Sequence, residues 1–160
     1  MSSRKRRLFE ELMVEFRASQ NATDRYDQAV ADALGLNRTD LRCLDILERG
    51  GRLTAGQLAE QTGLTTGAVT TVIDRLEAAG HARRVRDTDD RRRVYVELTD
   101  DARRLANGFY LEHAALAESL YRRASEAQIE FLLEVTRQGR EFNDLKAAEL
   151  EARLASTRKR

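Results

Sequence analysis

The stretch that decides the fold is TAGQLAEQTGLTTGAVTTVIDRLEAAG, residues 54–80. Thr54 and Gln57 form a capping box, in which each side chain reaches an unpaired backbone N–H at the start of a helix. Gly63 ends this helix after about two turns, and a second helix is predicted to run from the following threonines to Gly80. The stretch therefore predicts two short consecutive helices.

Three residues in this stretch have the spacing of a helix-turn-helix. Ala59 is small enough for two helices to approach, Gly63 relieves the turn, and Val69 locks the second helix into the core. The second helix has an apolar stripe, and the residues left on its outer face are Thr65, Thr66, Gly67, Thr70, Thr71, Asp74 and Arg75. Threonine hydroxyls reach base edges or phosphates, and arginine grips a phosphate or a guanine. A helical hairpin with a merely solvated threonine face fits the same pattern.

The next segment changes from the helical period to the period of a strand. Residues 94–98 alternate apolar and polar side chains as a half-buried strand does, and Val85 marks its partner strand. Residues 87–91 form a polar turn between the two strands. Residues 83–93 hold six arginines and three aspartates, a local charge of +3. A helix-turn-helix followed by a basic β-hairpin is a winged helix, whose wing places arginine on phosphate or in the minor groove.

Long helices are predicted on both sides of this region. Residues 1–38 carry an apolar stripe, and the polar residues 19–27 in its middle predict a kink. Thr39 or Asp40 is expected to cap the short helix that follows.

After the hairpin, Thr99 caps a long helix, and Ser125 with Gln128 opens a terminal helix of about 30 residues. That terminal helix has apolar side chains on more than one face, so a partner helix is needed to cover them. The terminal helix is therefore predicted to pack against a partner helix.

The composition excludes several classes of protein, whereas the net charge does not favour any class. The 160 residues hold 28 Lys and Arg against 27 Asp and Glu, so the net charge of +1 makes no case for nucleic acid. Cys43 is the sole cysteine, which excludes an intramolecular disulfide, a cysteine-based zinc finger and a CxxC redox pair. There is no apolar run of about 20 residues and no signal peptide, which favours a soluble, cytoplasmic protein. Nucleophile-elbow, phosphate-loop and zinc-protease motifs are absent, so neither an enzyme nor a cofactor or metal is expected.

One resemblance is specific. The stretch LAEQTGLTTGAVTTVIDRLEAAGHARRVRDTDDRRRVYVELTDDARRLA, residues 58–106, resembles the core of the MarR (multiple antibiotic resistance regulator) family. It contains that family's pattern of recognition helix, wing, and junction between wing and helix. The resemblance implies a mainly α fold with a small β-hairpin wing: a winged helix-turn-helix plus a helical dimerisation region. The implied boundaries are residues 1–38 for an N-terminal dimerisation helix, 39–100 for the DNA-binding domain with its wing at about 81–98, and 101–160 for the long linker helix and the C-terminal dimerisation helix.

The resemblance also implies function. It indicates a homodimeric transcription regulator, most often a repressor, that binds double-stranded DNA at a pseudo-palindromic operator. Thr65, Thr66, Thr70, Thr71 and Arg75 would then face the major groove. Arg91 or Arg92 would reach the minor groove, and Arg84, Arg86 and Arg93 would hold phosphates or the wing aspartates. Asp87, Asp89 and Asp90 would organise the wing, and Asp74 would pair with Arg75 or a wing arginine.

The implied effector is a small aromatic or phenolic molecule. Arg17, Tyr26, Tyr110 and His113 are the residues that we name for its pocket, although His113 also fits a satisfied, partly buried histidine on the apolar stripe of its helix. Cys43 is interpreted as a buried small apolar residue rather than a redox sensor.

Two other functions fit the fold. A winged helix used for contacts between proteins predicts no salt-dependent DNA affinity. A sequence-neutral architectural protein predicts DNA affinity without discrimination between sequences.

Overall fold

The computed structural model describes residues 2–158, and in that range the backbone forms six α-helices and one three-stranded antiparallel sheet. The elements are α1 Ser3–Ala33, α2 Arg38–Gly50, β1 Leu53–Thr54, α3 Ala55–Thr62, α4 Thr66–Ala78, β2 Ala82–Arg86, β3 Val94–Leu98, α5 Asp100–Tyr121 and α6 Glu126–Arg158. Met1, Lys159 and Arg160 lie outside the described residues. The predicted fold class, mainly helical with a small wing, is confirmed.

The sheet has the order β1-β3-β2. Strands β2 and β3 form the predicted hairpin, with Val85 opposite Tyr95 and Arg86 opposite Val94. Strand β1 was not predicted; its Leu53 lies opposite Val96. Two residues are too few to show a period in sequence, and β1 exists because β3 offers it an edge to pair with.

Capping side chains set most of the helix ends. Thr54 and Gln57 form the predicted box at the start of α3, and Gly63 ends that helix with a φ of 70°, a conformation that favours glycine. The predicted cap of α2 is wrong. Asn37 caps that helix in a box with Asp40, so Asp40 lies in the first turn of the helix.

At the kink predicted for residues 19–27 helix α1 has no break, since the helix is continuous from Ser3 to Ala33. Polar residues in the middle of a helix do not interrupt its backbone hydrogen bonds. Sharp kinks need proline, a glycine pair or an inserted group, and residues 19–27 contain none of the first two.

The core lies between α2, α3, α4 and the sheet. Its fully buried large side chains include Leu47, Leu58, Ile73, Leu76 and Leu98. The alternation in β3 sends residues 96 and 98 into this core, while residues 95 and 97 lie on the other face. The packing therefore holds α4 by one stripe and leaves its other face exposed.

The long helices bury little in this chain. The described residues group into two compact units, one up to Phe109 and one from Tyr110 onward, with the division inside α5. From Glu126 to Thr157 every residue of α6 is exposed. None of the helices between residues 2 and 158 combines the length and the apolar character required to cross a membrane.

Candidate nucleic-acid interface

The outer face of α4 is the first part of the site. We use "α4 outer face" for the residues Thr65, Thr66, Gly67, Thr70, Thr71, Asp74 and Arg75, all of which are exposed. Thr65 caps the helix by accepting a hydrogen bond from the backbone N–H of Ala68. Val69, Val72, Ile73 and Leu76 are buried on the opposite side. The helix is therefore amphipathic, with a short polar surface of threonines.

The threonine hydroxyls of this face have a defined polarity. Thr70 Oγ1 donates to the carbonyl of Thr66 at 2.9 Å, and Thr71 Oγ1 donates to the carbonyl of Gly67 at 3.2 Å. Since each proton is used within the helix, the outward oxygen is an acceptor and the neighbouring methyl group is apolar. This surface suits the amino groups of cytosine or adenine and the methyl group of thymine.

Arg75 is held by Asp40 of α2. Its Nε donates to Asp40 Oδ2 at 3.1 Å, and its Nη2 donates to Asp40 Oδ1 at 2.6 Å. The Asp40 side chain is 2% exposed and that of Arg75 is 45% exposed. The hydrogen bond to Asp40 raises the pKa of the Arg75 guanidinium. Asp40 had no functional role in the sequence analysis; the Asn37-x-x-Asp40 capping box is the sequence signal that places it inside the helix.

Arg84 connects the wing to α4. Its Nη2 donates to Asp74 Oδ1 at 2.7 Å, and its Nη1 pairs with Glu77. The hydrogen bond to Asp74, followed by the charge of Glu77, raises the pKa of Arg84. Asp74 thus pairs with a wing arginine, one of the two partners predicted for it, and Arg84 contacts Asp74 and Glu77 rather than the wing-tip aspartates. We call Asp74, Glu77 and Arg84 the wing latch; Glu77 was missed because the strand that brings Arg84 to it follows seven residues later.

The wing tip is organised by its aspartates. Asp87 Oδ1 accepts hydrogen bonds from the backbone N–H groups of Asp89 at 2.7 Å and Asp90 at 3.0 Å. The N–H of Asp90, then that of Asp89, lowers the pKa of Asp87. Asp90 in turn lies 3.3 Å from Nε of Arg92 and 3.7 Å from Nε of Arg93. Asp89 contributes its backbone N–H to this turn.

The remaining wing arginines are directed to solvent. The Arg92 side chain is 93% exposed despite its contact with Asp90. Within residues 2–158, no carboxylate lies within 4.0 Å of the guanidinium groups of Arg86 and Arg91. A hydrogen bond with Tyr95 raises the pKa of Arg93. The tip therefore presents cations on a turn that its own backbone holds in place.

A further cation at the wing was missed by the sequence analysis. Arg52 precedes β1, and its guanidinium carbon lies 4.9 Å from the centroid of the Tyr95 ring. Such an arrangement is a cation–π contact that holds the arginine against the sheet. No local pattern relates these two residues, because β1 and β3 are brought together only by the fold.

The residues named for an effector pocket have the following contacts. Tyr26 donates from its hydroxyl to the carbonyl of Phe109 at 2.5 Å. The rings of Tyr110 and His113 lie 6.0 Å apart on α5. Arg17 is exposed on α1.

Cys43 lies in the core, on α2. Its side chain is buried, and burial, followed by the negative charge of Asp40, raises its pKa to about 11. Among residues 2–158, no three His, Cys, Asp or Glu side chains are grouped so that they hold a metal ion.

The geometry defines a class of protein. A helix-turn-helix with an exposed polar second helix, followed by a hairpin with cations at its tip, is a winged-helix DNA-binding protein. The sequence profile of the MarR family matches residues 34–93. The uncharacterized HTH-type transcriptional regulator YcgE of Bacillus subtilis (strain 168) is 38% identical over 117 residues, 73% of this chain and 76% of that protein. The chain belongs to the MarR family and is a transcriptional regulator with a DNA-binding winged helix, which confirms the resemblance.

Solved structures agree on the fold. A variant of S. aureus MepR bound to an oligodeoxyribonucleotide has a TM-score of 0.58 at 19% identity, covering 84% of this chain and 97% of its own. NadR in complex with 4-hydroxyphenylacetate has a TM-score of 0.59 at 19% identity, covering 78% and 89%. The MarR family and the relative YcgE are transcriptional regulators rather than enzymes.

Proposed function

We propose that this regulator is a homodimeric, cytoplasmic repressor that recognises a pseudo-palindromic operator and is released from it by a small aromatic or phenolic molecule. The observation that carries sequence recognition is the α4 outer face. Its threonines are exposed, and Thr70 and Thr71 present acceptors and methyl groups with a fixed direction. A surface that only bound phosphate would be rich in cations, whereas this one suits base edges.

The wing supplies the second half of the contact. In this proposal Arg91 or Arg92 enters the minor groove, where the negative potential favours a guanidinium. Arg86 and Arg93 contact the phosphates beside it. MepR, which shares this fold, was solved bound to an oligodeoxyribonucleotide. That structure supports the proposal that this chain binds DNA with the same fold.

The homodimer follows from the apolar side chains that one chain leaves exposed. On α1 these include Leu12 and Val14, and on α6 they include Phe131 and Phe142. A patch of this kind on an isolated protein indicates an interface. A two-fold dimer places two copies of α4 one helical turn of DNA apart, about 34–36 Å, which matches a pseudo-palindrome.

Release by a ligand rests on a separate set of observations. NadR was solved with 4-hydroxyphenylacetate, a phenolic acid. Aromatic rings and a cation are the groups that recognise a phenolic acid, and Arg17, Tyr26, Tyr110 and His113 stay the candidates that we propose for them. We therefore take 4-hydroxyphenylacetate as the first compound to titrate against the complex with DNA.

The test is fluorescence-anisotropy binding to DNA selected from a random pool, at two salt concentrations. We expect an enriched pseudo-palindrome, bound by two chains, with affinity at least about a thousandfold above that for scrambled DNA and falling steeply with salt. Tight binding without an enriched sequence would favour the architectural protein. Absence of salt-dependent binding would favour the module for protein contacts.

A further inference from the structure

The buried carboxylate of Asp40 has its hydrogen bonds fully arranged. Its own backbone N–H donates to Asn37 Oδ1 at 2.9 Å, and Asp40 Oδ2 accepts from the N–H of Asn37 at 3.4 Å. The same carboxylate accepts both hydrogen bonds from Arg75, and its side chain is 2% exposed. A buried charge is stable only when it is paired and hydrogen-bonded. Arg75 is the cation that pairs with this carboxylate, and the bonds to Asn37 and Arg75 fix the orientation of the Asp40 side chain.

Asp40 occupies one edge of the Arg75 guanidinium. The bonds come from Nε and Nη2, which form the side edge of the planar group. A guanidinium has five N–H donors, so three remain: both on Nη1 and one on Nη2. Within the described residues, Nη1 of Arg75 donates to no other group. The end edge, formed by Nη1 and Nη2, therefore keeps two parallel donors available.

Arg84 provides a contrast within the same molecule. It uses Nη1 for Glu77 and Nη2 for Asp74, so protein carboxylates occupy its end edge. The two arginines therefore differ in which N–H donors remain free for a ligand. Arg84 holds the wing to α4, whereas Arg75 is fixed at one edge and open at the other.

Arg75 lines a groove whose other walls carry polar side chains of the kinds that bind DNA. The groove has a volume of about 580 Å³, and its walls include Thr71 of the α4 outer face and Asn37, Arg38 and Thr39 at the start of α2. Arg75 lies one helical turn after Thr71, so both side chains lie on the same side of α4.

We propose that Asp40 is a positioning residue, which holds Arg75 so that its Nη1–Nη2 edge meets a pair of acceptors on operator DNA. The paired acceptors are either O6 and N7 of a guanine or two oxygens of a phosphate, since both match the two parallel donors. An exposed arginine loses rotamer freedom when it binds, and Asp40 removes that loss in advance. This proposal rests on the proposed recognition of an operator.

The experiment is a double-mutant cycle on affinity for the selected operator, with Arg75→Ala, Asp40→Asn and the double variant. The amide that Asp40→Asn introduces keeps the shape of the side chain but offers one acceptor oxygen where the carboxylate offers two. We expect Arg75→Ala to lower affinity by about 5- to 150-fold, and Asp40→Asn by about tenfold. In the Arg75→Ala background, Asp40→Asn should change affinity by less than about twofold, because its effect acts through Arg75.

Two further variants separate positioning from folding. Asp45→Asn removes a carboxylate of the same helix that pairs with the exposed Arg49, and should leave operator affinity unchanged. Arg75→Lys keeps the charge and the fold but lacks the fork, and should be nearly as harmful as Arg75→Ala. Circular dichroism and stoichiometric titration with operator correct each affinity for the folded fraction.

The outcomes decide the proposal. A guanine contact predicts lost preference at one base pair of the site, and a phosphate contact predicts a salt slope reduced by about one with preference unchanged. If the losses of affinity in Asp40→Asn and Arg75→Ala simply multiply in the double variant, Asp40 does not act through Arg75 and the proposal is overturned. Full operator affinity in Asp40→Asn or in Arg75→Lys would overturn it as well. If wild-type protein enriches no sequence, the proposed function fails first, and that result is seen before any variant is made.

Discussion

The winged helix buries its apolar side chains within one chain, whereas the long terminal helix leaves its apolar side chains exposed. In the winged helix, Leu47, Leu58 and Leu76 are fully buried within one chain. In α6, Phe131 is 68% exposed and Phe142 is 59% exposed. Both segments are helical and both are rich in leucine, so the difference lies in what each packs against rather than in composition.

The contrast shows which part of the protein folds on its own contacts. Burial of apolar surface stabilises by roughly 25 cal/mol per Å², and the winged helix gains this within the chain. The same gain is open to α6 only when another surface covers it. We therefore expect substitutions in the two regions to differ in their dependence on protein concentration.

The largest effect is expected from charges on the apolar side of α6. Phe142→Glu with Leu145→Glu should raise the dimer dissociation constant by about a thousandfold, roughly 4 kcal/mol, because glutamates would be buried without partners. Sedimentation velocity would show a shift from dimer to monomer. Arg137→Glu changes the charge of α6 by the same two units on its polar side, one to two helical turns from Glu130 and Glu141, and should leave the dimer intact. Equal sedimentation of all three proteins would show that α6 is not an interface.

The closed core is tested by Leu47→Ala. It should lower the free energy of unfolding by about 3 kcal/mol, because the cavity cannot collapse between α2 and its neighbours. The loss should be the same at two protein concentrations about a hundredfold apart in urea titrations. Leu133→Ala on α6, where the side chain is 47% exposed in one chain, should destabilise more at the lower concentration. If the loss of unfolding free energy depends on protein concentration in the same way for both variants, the two regions do not differ in how they are stabilised.

The wing tip should matter for DNA and not for stability. Arg91→Ala with Arg92→Ala is expected to weaken operator binding by about 2 kcal/mol, because the proposed contacts of the wing with the minor groove are lost. Both side chains are exposed and contribute little to folding. Thermal unfolding should be unchanged. Arg122→Ala with Arg123→Ala removes the same charge at the end of α5 and serves as the control. Unchanged operator affinity in the wing variant would end the role that we propose for the wing.

The smallest effect is expected at Cys43. Its thiol has a pKa raised to about 11, so at pH 9 only about 1% is thiolate in the folded protein, against about half for a thiol with the ordinary pKa of 9.0. Raising the pH toward 11 increases the thiolate and the rate of alkylation. Iodoacetamide should therefore modify the folded chain far more slowly than the urea-unfolded chain at pH 9. Loss of operator binding after brief peroxide treatment would contradict this inert role.

Local signals predicted much of the fold, and non-local contacts account for the misses. The box of Thr54 and Gln57, the Gly63 turn and the alternation in β3 involve residues within a few positions, so their patterns are visible in sequence. Strand β1 and the contact of Arg52 with Tyr95 depend on pairing across roughly 40 residues, and no local period marks them. The polar residues 19–27 leave α1 unbroken, since polar side chains do not interrupt the backbone hydrogen bonds of a helix.

The sequence by itself determined that this chain builds a winged helix with a threonine face and a basic tip, because helix caps, apolar periods and turn residues act over a few positions. Only the tertiary structure decided what each arginine contacts. Arg75 and Asp40 are 35 positions apart, and Arg84 meets two acids of another element. Which edge of a guanidinium is occupied depends on the approach of α2, α4 and β2, and that approach is set by the packing of the whole core.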